Sequence, residues 1–364
     1  MTVRYILQAL PSGDVLGWDL PLTETDVTLA LSAPTVMSAS ISFERPELVG
    51  LLRPYHVAIW ADDGSGALHG GILTDVDVDG PKLSLTIAGY VNYLNGMPWT
   101  AKEYQGIYVD PLDVVRRIWS YVQSIPSGDL HLEVDRTTSK TTIGEPERDV
   151  NFQTSAGDDV SFEAGPYSLS HWGTADLSKE HTDLMEHAGA SYIERHYWDG
   201  ETIKHRLQVD CPSRYVRRDD VRAVVGENII VPPKLSLPGS GYASEVLVLG
   251  SGEGRDAIYA TSGPQKTKGL YKPTVYSDKS IKSKSKAQTV ARSQVKKLSG
   301  DLEQITELTV LDHPNMDFRG LNPGDVFRVT GETEWIDLDT YVRVLDKGFD
   351  PSNPMTGTLG VEVI

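Results

Sequence analysis

A chain of 364 residues, 39% hydrophobic and 23% charged, has room for two or three domains with cores of their own. Its formal net charge of −17 argues against general phosphate-backbone binding, which needs clustered Lys and Arg, and favours solubility. The single Cys211 excludes an internal disulfide framework and fits assembly in a reducing cytoplasm. The apolar run Tyr5-Ile6-Leu7 is too short for a signal-peptide core, and no stretch reaches membrane-spanning length. A soluble protein made without a secretion signal is expected.

The first block, Thr25 to Tyr90, is written in short alternating runs stopped by Gly, Pro and Asp. Met37, Ala39, Ile41 and Phe43 alternate with serines, which puts every apolar side chain on one face of a strand. Tyr55, Val57 and Ile59 repeat the pattern. Ile72–Val78 and Leu83–Gly89 flank Asp79-Gly80-Pro81-Lys82, read as a four-residue hairpin loop.

The middle block changes period. Asp110-Pro111 supplies an N-cap and a first-turn proline, and Leu112, Val115, Ile118, Trp119 and Val122 mark one helical face ending near Ser124. Residues 126–166 read as a long polar connection with a few strands. A second helix is expected from Thr174 to about Ala188, followed by a hairpin from Ser191 to Val209 turning at Asp199-Gly200.

Strands return at 244–249, 256–261, 305–311, 326–330, 341–345 and 358–363. A Lys/Ser-rich insert from Gly263 to Gly300 interrupts them, with Ala287, Val290, Ala291, Gln294 and Leu298 on one helical face. The expected fold is therefore mainly β with an α+β insertion. Two β-barrel-like modules are expected, the second discontinuous and carrying a small helical insert. The expected boundaries are 1–95 for the first module, 96–224 for the middle domain, 225–262 with 303–364 for the second module, and 263–302 for the insert.

The motifs that could carry chemistry fail on context. Asp75-Val76-Asp77-Val78-Asp79-Gly80 opens like an EF-hand calcium loop, but its twelfth position is Thr86 and its flanks are strands. Gly250-Ser251-Gly252-Glu253-Gly254 follows a strand as a dinucleotide loop would, yet it has the wrong spacing and runs into another strand. His181 and His187 lie six apart on one helix and so on different faces; His196 and His205 lie across the hairpin within possible reach of each other, but exposed strand histidines are the expected case. The pairs Asp158-Asp159 and Asp219-Asp220 read as solvated surface rather than glycosidase carboxylates. No catalytic residue, cofactor site or metal site is expected. The one cationic patch is Lys279, Lys282, Lys284, Lys286, Arg292, Lys296 and Lys297, either a solvated helix face or a surface that docks onto an acidic partner or a neighbouring copy.

Leu321-Asn322-Pro323-Gly324-Asp325-Val326, in which Pro presets φ, Gly supplies the permissive position and Asp opens a strand, resembles the strand entry of phage baseplate hub proteins. Gly70-Gly71-Ile72-Leu73 with Leu83 to Tyr90 resembles the first barrel of siphophage minor tail proteins of that group. The Asp199-Gly200 hairpin, Cys211-Pro212 and Val225-Gly226-Glu227-Asn228 are similar to their middle region. The resemblance implies a structural, non-enzymatic virion protein: a tail-tip hub, assembled in the host cytoplasm. It would form a homotrimeric ring, a symmetry adaptor between the six-fold tail tube and the tip, with a channel for genome passage. The implied partners are the distal tail protein, the tape-measure protein and tip or fibre proteins, with no sequence-specific nucleic acid and no membrane segment. Two other readings stay open: a carbohydrate-binding or carbohydrate-cleaving β-protein, and a distal tail ring or receptor-binding tip protein. Against the carbohydrate reading, Trp60, Trp99, Trp172, Trp198 and Trp335 look scattered in the sequence.

Overall fold

The computed structural model describes residues 3–42, 46–153, 159–236, 242–252, 257–263, 270–278, 281, 284–299, 304–334 and 337–364. Strands make up 48% of the described residues and helices 15%, so the fold is mainly β with a small helical part, as the alternating patterns imply. The chain divides into two compact units, Met1–Glu145 with Pro166–Pro233 and Glu307–Ile364, and Pro146–Gly165 with Lys234–Thr306.

In the larger unit, Leu22–Ala30, Val36–Ser42, Lys82–Ala88, Ala67–Asp79, Val57–Asp62 and Arg4–Ala9 are successive antiparallel neighbours. Met37, Ala39 and Ile41 are buried as their alternation requires, while Phe43 lies outside the described residues. Val57–Asp62 departs from the one-faced pattern, since all six residues are buried. Ala58 and Trp60 pack into a helical core on one face, and Val57, Ile59 and Ala61 turn to the other. Tyr55 falls before this strand, exposed and at φ 61°.

Ala67–Asp79 is 13 residues long and changes partner midway. Leu68–Ile72 pairs with Ala58–Asp62, then Ile72–Asp79 pairs with Lys82–Ala88. Gly70 and Gly71 permit the exchange: a Cβ would stand 2.0 Å from the Ile59 carbonyl oxygen at Gly70 and 2.1 Å from that of Ala88 at Gly71. The hairpin that follows is tighter than the four-residue loop expected. Asp79 pairs with Lys82, leaving Gly80-Pro81 as the loop with Gly80 at φ 59°, because glycine at the first central position allows a two-residue turn.

The Pro111–Ser124 helix starts where its cap predicts, the Asp110 side chain accepting from the Leu112 amide at 2.9 Å. The next helix runs Leu177–Ala188 and starts three residues later than expected, because Asp176 caps it by accepting from the Ser178 amide. Leu112, Val115, Ile118, Trp119, Leu177 and Leu184 share one core with Ile6, Ala58 and Trp60 of the first sheet and with Tyr192 and Leu207. The last two lie on the hairpin Ser191–Asp199 and Thr202–Asp210. Its loop is Gly200-Glu201, one residue beyond the expected turn, with Gly200 at φ 63°.

Later in the same unit, Asp325–Glu332, Asp337–Phe349 and Thr356–Val363 are antiparallel neighbours, and Val216–Val224 runs parallel to the first of them. Asp337–Phe349 also has 13 residues, exchanges partners and carries a register shift, between Val344 and Asp346; its end pairs with Leu22–Ala30. Ala67–Asp79 has its own shift between Leu73 and Asp75.

In the smaller unit, Arg148–Gln153 pairs with Asp159–Ala164. Glu245–Leu249 lies between Tyr259–Ser262, antiparallel, and Pro273–Ser277, parallel. The helix Lys284–Ser299 covers one face, with Ala287 and Ala291 buried against Val246, Val248 and Ala260. The alternating pattern at 244–249 points to a strand of the second module. The partner it finds, Pro273–Ser277, comes from within the expected insert, because that insert supplies both a strand and the apolar helix face that covers Val246 and Val248.

Candidate functional site

The Pro323-Gly324-Asp325 turn sits at the centre of a polar network. The Asp325 amide donates to the Asn322 carbonyl at 3.0 Å, with Pro second and Gly third in the turn, and Gly324 at φ 88°. That is the residue order a type II turn demands. The Asp325 side chain is only 2% exposed; it accepts from Arg218 Nη1 at 3.1 Å, Arg214 Nη2 at 3.5 Å and the Asn322 amide at 3.1 Å. The Gly324 carbonyl accepts from the Val216 amide at 3.0 Å, so the turn and the 211–218 segment are tied through both main chain and side chains. Close by, buried Lys347 donates to the Arg319 and Leu321 carbonyls at 3.0 and 3.1 Å. Burial lowers its pKa to about 8 against the opposing pull of Asp317, Asp312 and Asp325.

A second polar cluster lies under the middle hairpin. His196 and His205 do meet, Nδ1 to Nδ1 at 2.9 Å, so one ring donates and the other accepts. The expectation of exposed strand histidines is corrected here, since the two are 4% and 5% exposed. They face inward because Trp60 and Tyr90 complete an aromatic box around them, with ring centroids 4.5 to 5.3 Å away. Burial depresses both, His205 to about 3, and His196 is lowered further by its neighbour His205. His181, fully buried edge-on to Trp119 and Tyr192, is lowered to about 4 by burial; His187 is exposed on another face of that helix. Glu194, one strand position pair away from His196, accepts from the Thr35 amide at 2.8 Å and the Val91 amide at 2.6 Å. Burial raises its pKa to about 7, opposed by those amides.

Among the described residues no group of three His, Cys, Asp or Glu could hold a metal ion, and no helix is long and apolar enough to cross a membrane. Asp75 pairs with Thr86 on the neighbouring strand, so the two ends of the calcium-like motif stand side by side in a ladder and do not wrap an ion. After Gly250 the described chain returns as the antiparallel strand Tyr259–Ser262, not as a helix; Glu253 and Gly254 lie outside the described residues. Asp219 and Asp220 each bind their own arginine, Arg217 and Arg218, at 2.6 and 2.7 Å. Asp158 lies outside the described residues.

Of the cationic patch, Lys284, Lys286 and Arg292 are exposed on the Lys284–Ser299 helix, which also contains Lys296 and Lys297. Lys279 and Lys282 lie outside the described residues. Trp60 and Trp99 are core residues, Trp172 is exposed, and Trp335 lies outside the described residues. Trp198, however, stacks on Trp18 with centroids 5.7 Å apart and planes at 12°. Nothing in the sequence marks Trp18, since a pairing across some 180 residues leaves no local signal.

The first sheet with its glycine exchange and the turn at Pro323-Gly324 define a fold, and solved structures share it over the whole chain. No family model matches the sequence. No curated protein matches it either. A tail protein from Neisseria meningitidis MC58 is similar with a TM-score of 0.58 at 13% identity, covering 100% of this chain and 97% of that one. The 43 kDa tail protein of prophage MuSo2 from Shewanella oneidensis is similar with a TM-score of 0.55 at 14% identity, covering 99% and 98%. Prophage tail protein gp18 from Listeria monocytogenes EGD-e gives a TM-score of 0.55 at 7% identity, covering 100% and 94%. The chain thus has the fold of prophage tail proteins, the group its turn and glycine motifs resemble.

Proposed function

We propose that the chain is a structural, non-enzymatic protein of a phage-type tail tip, a hub that closes into a homotrimeric ring. The observation that carries this reading is end-to-end agreement in fold with three tail proteins, with both chains covered almost completely. The duplicated device in the sheets supports the ring. Ala67–Asp79 and Asp337–Phe349 are equal in length, both exchange partners and both bulge. Two such strand exchanges per chain, at Ala67–Asp79 and at Asp337–Phe349, give six in a closed trimer. That number suits a six-fold tube on one side and three-fold faces on the other.

At −17 per chain, three copies carry about −51, and a polyanion crossing the channel would not adhere to its wall. Lys279, Lys282, Lys284, Lys286, Arg292, Lys296 and Lys297 would face a partner protein or adjacent copy. Distal tail, tape-measure and tip or fibre proteins are the partners proposed, and the virion tail tip is the location. The mass of the purified oligomer tests the ring. A trimer is expected; a hexamer would favour a distal tail ring, and a monomer would remove the hub reading.

A further inference from the structure

The Trp18–Trp198 stack forms the floor of an open cleft of about 650 Å3 in the larger unit, bordered by Arg4, Asp62 and Glu201. We infer that this cleft binds a neutral glycan, by a sugar ring laid against the exposed indole with its hydroxyls on the polar rim.

The pair is held ready before any ligand arrives. Asp62, 3% exposed, accepts from Trp198 Nε1 at 3.1 Å through Oδ2 and from the Gly64 amide at 2.9 Å through Oδ1. Those two bonds fix the plane of Trp198, and Trp198 in turn sets Trp18 almost parallel to it. Rigid placement of the recognition surface removes an ordering cost from binding. Yet Trp18 remains 52% exposed, with its ring held between Trp198 and solvent and the Arg4 guanidinium 5.8 Å from its centroid. The walls are bare where side chains would obstruct: a Cβ on Gly66 or Gly200 would meet nothing within 4 Å.

The chemistry selects the ligand. A pyranose has one face of C–H bonds, which suits an indole, and an edge of hydroxyls, which suits the exposed Glu201 carboxylate as acceptor and the Arg4 guanidinium as donor. An anionic ligand is disfavoured, because Asp62 and Glu201 border the cleft and Arg4 already pairs with Asp62 at 3.4 Å. A wholly apolar ligand would strand the same charges without partners. The volume lies within the range of small-ligand sites and admits two or three sugar rings. The hub reading is not required: a tail-tip protein and a free-standing binder would hold the sugar in the same way.

The test is ligand-observed saturation-transfer NMR and calorimetry on the full chain. The probes are neutral tetrasaccharides: α-glucan, β-glucan, α-mannan and β-1,4-linked N-acetylglucosamine. At least one should bind saturably, and Trp18→Ala should weaken it tenfold or more while the melting temperature stays put. Trp172→Ala, removing an exposed indole elsewhere, should leave binding unchanged. The inference is overturned if none of the four saturates, or if binding survives Trp18→Ala. It is equally overturned if the substitution dissolves an oligomer while no sugar binds, which would give the cleft to a second copy.

Discussion

Gly324 and Gly226 sit at nearly the same backbone angle, φ 88° and 83°, in opposite surroundings, and that contrast yields a measurable difference. At Gly226 a Cβ would meet nothing within 4 Å; at Gly324 it would stand 2.6, 2.7 and 2.9 Å from Cγ, Cδ and Cβ of Arg214. Placing alanine at a left-handed angle costs about 1–2 kcal/mol, and both substitutions incur that cost. Only Gly324→Ala must also displace the stem of Arg214, which adds about 1–3 kcal/mol of overpacking. Displacement would pull the guanidinium from Asp325, since the three atoms lie near the root of the side chain and cannot swing clear. Gly226→Ala should therefore lose about 1 kcal/mol and Gly324→Ala about 3 kcal/mol. Urea denaturation at fixed protein concentration reads both, with the slope checked for constancy. Equal losses in the two variants would refute the account of the turn as packed on Arg214, leaving only the backbone angle.

Asp325→Asn removes the charge that Arg214 and Arg218 share at a 2% exposed site; both arginines are partly buried, and a loss of about 2–3 kcal/mol is expected by the same titration. A loss below 0.5 kcal/mol would show that solvent screens the network. Gly70→Ala should give no folded protein, because its Cβ collides with the Ile59 carbonyl, and a soluble variant with native circular dichroism would count against the strand exchange. For pH, the signs oppose. His181 and His205 are depressed to about 4 and 3, so the unfolded chain takes up protons first and stability falls as pH drops below about 6.5. Glu194, raised to about 7, favours the fold below pH 4.5, a contribution lost as pH rises through 7. Two histidines and the further depressed His196 outweigh one carboxyl, so acidification from pH 7 to pH 4 should destabilise. His181→Phe, filling the same edge-on site, should hold stability at pH 7 and recover on the order of 3 kcal/mol of the loss at pH 4. An unchanged pH profile in that variant would sink the assignment.

Local signals were legible wherever one face of an element meets water. The Asp110-Pro111 start, the Met37/Ala39/Ile41 alternation and the 191–209 hairpin lie within a residue or two of their places because cap, period and glycine turn act locally. Asp337–Phe349 is legible only over 341–345, since Asp337, Asp339, Asp346 and Lys347 break its apolar pattern. Lys347 is buried there nonetheless, because two carbonyls and the rings of Phe318 and Phe349 receive its ammonium. Pairing across long separations left no trace either. Nothing near Val246 announces Thr274 as its parallel partner, and nothing near Trp18 announces Trp198.

Three of the buried ionisable groups share a role. Glu194 joins its strand to the amides of Thr35 and Val91; Asp325 joins the 322–325 turn to Arg214 and Arg218; Lys347 joins its strand to the carbonyls of Arg319 and Leu321. Each binds segments that are distant in sequence, and each spends its hydrogen bonds on the chain itself. Gly89 shows how tight this is, for a Cβ there would fall 1.8 Å from the Glu194 carboxylate. Shifted pKa values often mark catalytic groups, but structural networks shift them as well. What separates the cases is whether a polar atom is left over for a substrate. Polar staples of this kind lock curved sheets and loops into one geometry. The ring proposed above would need that fixity, since any play within one copy would be repeated at every interface around it.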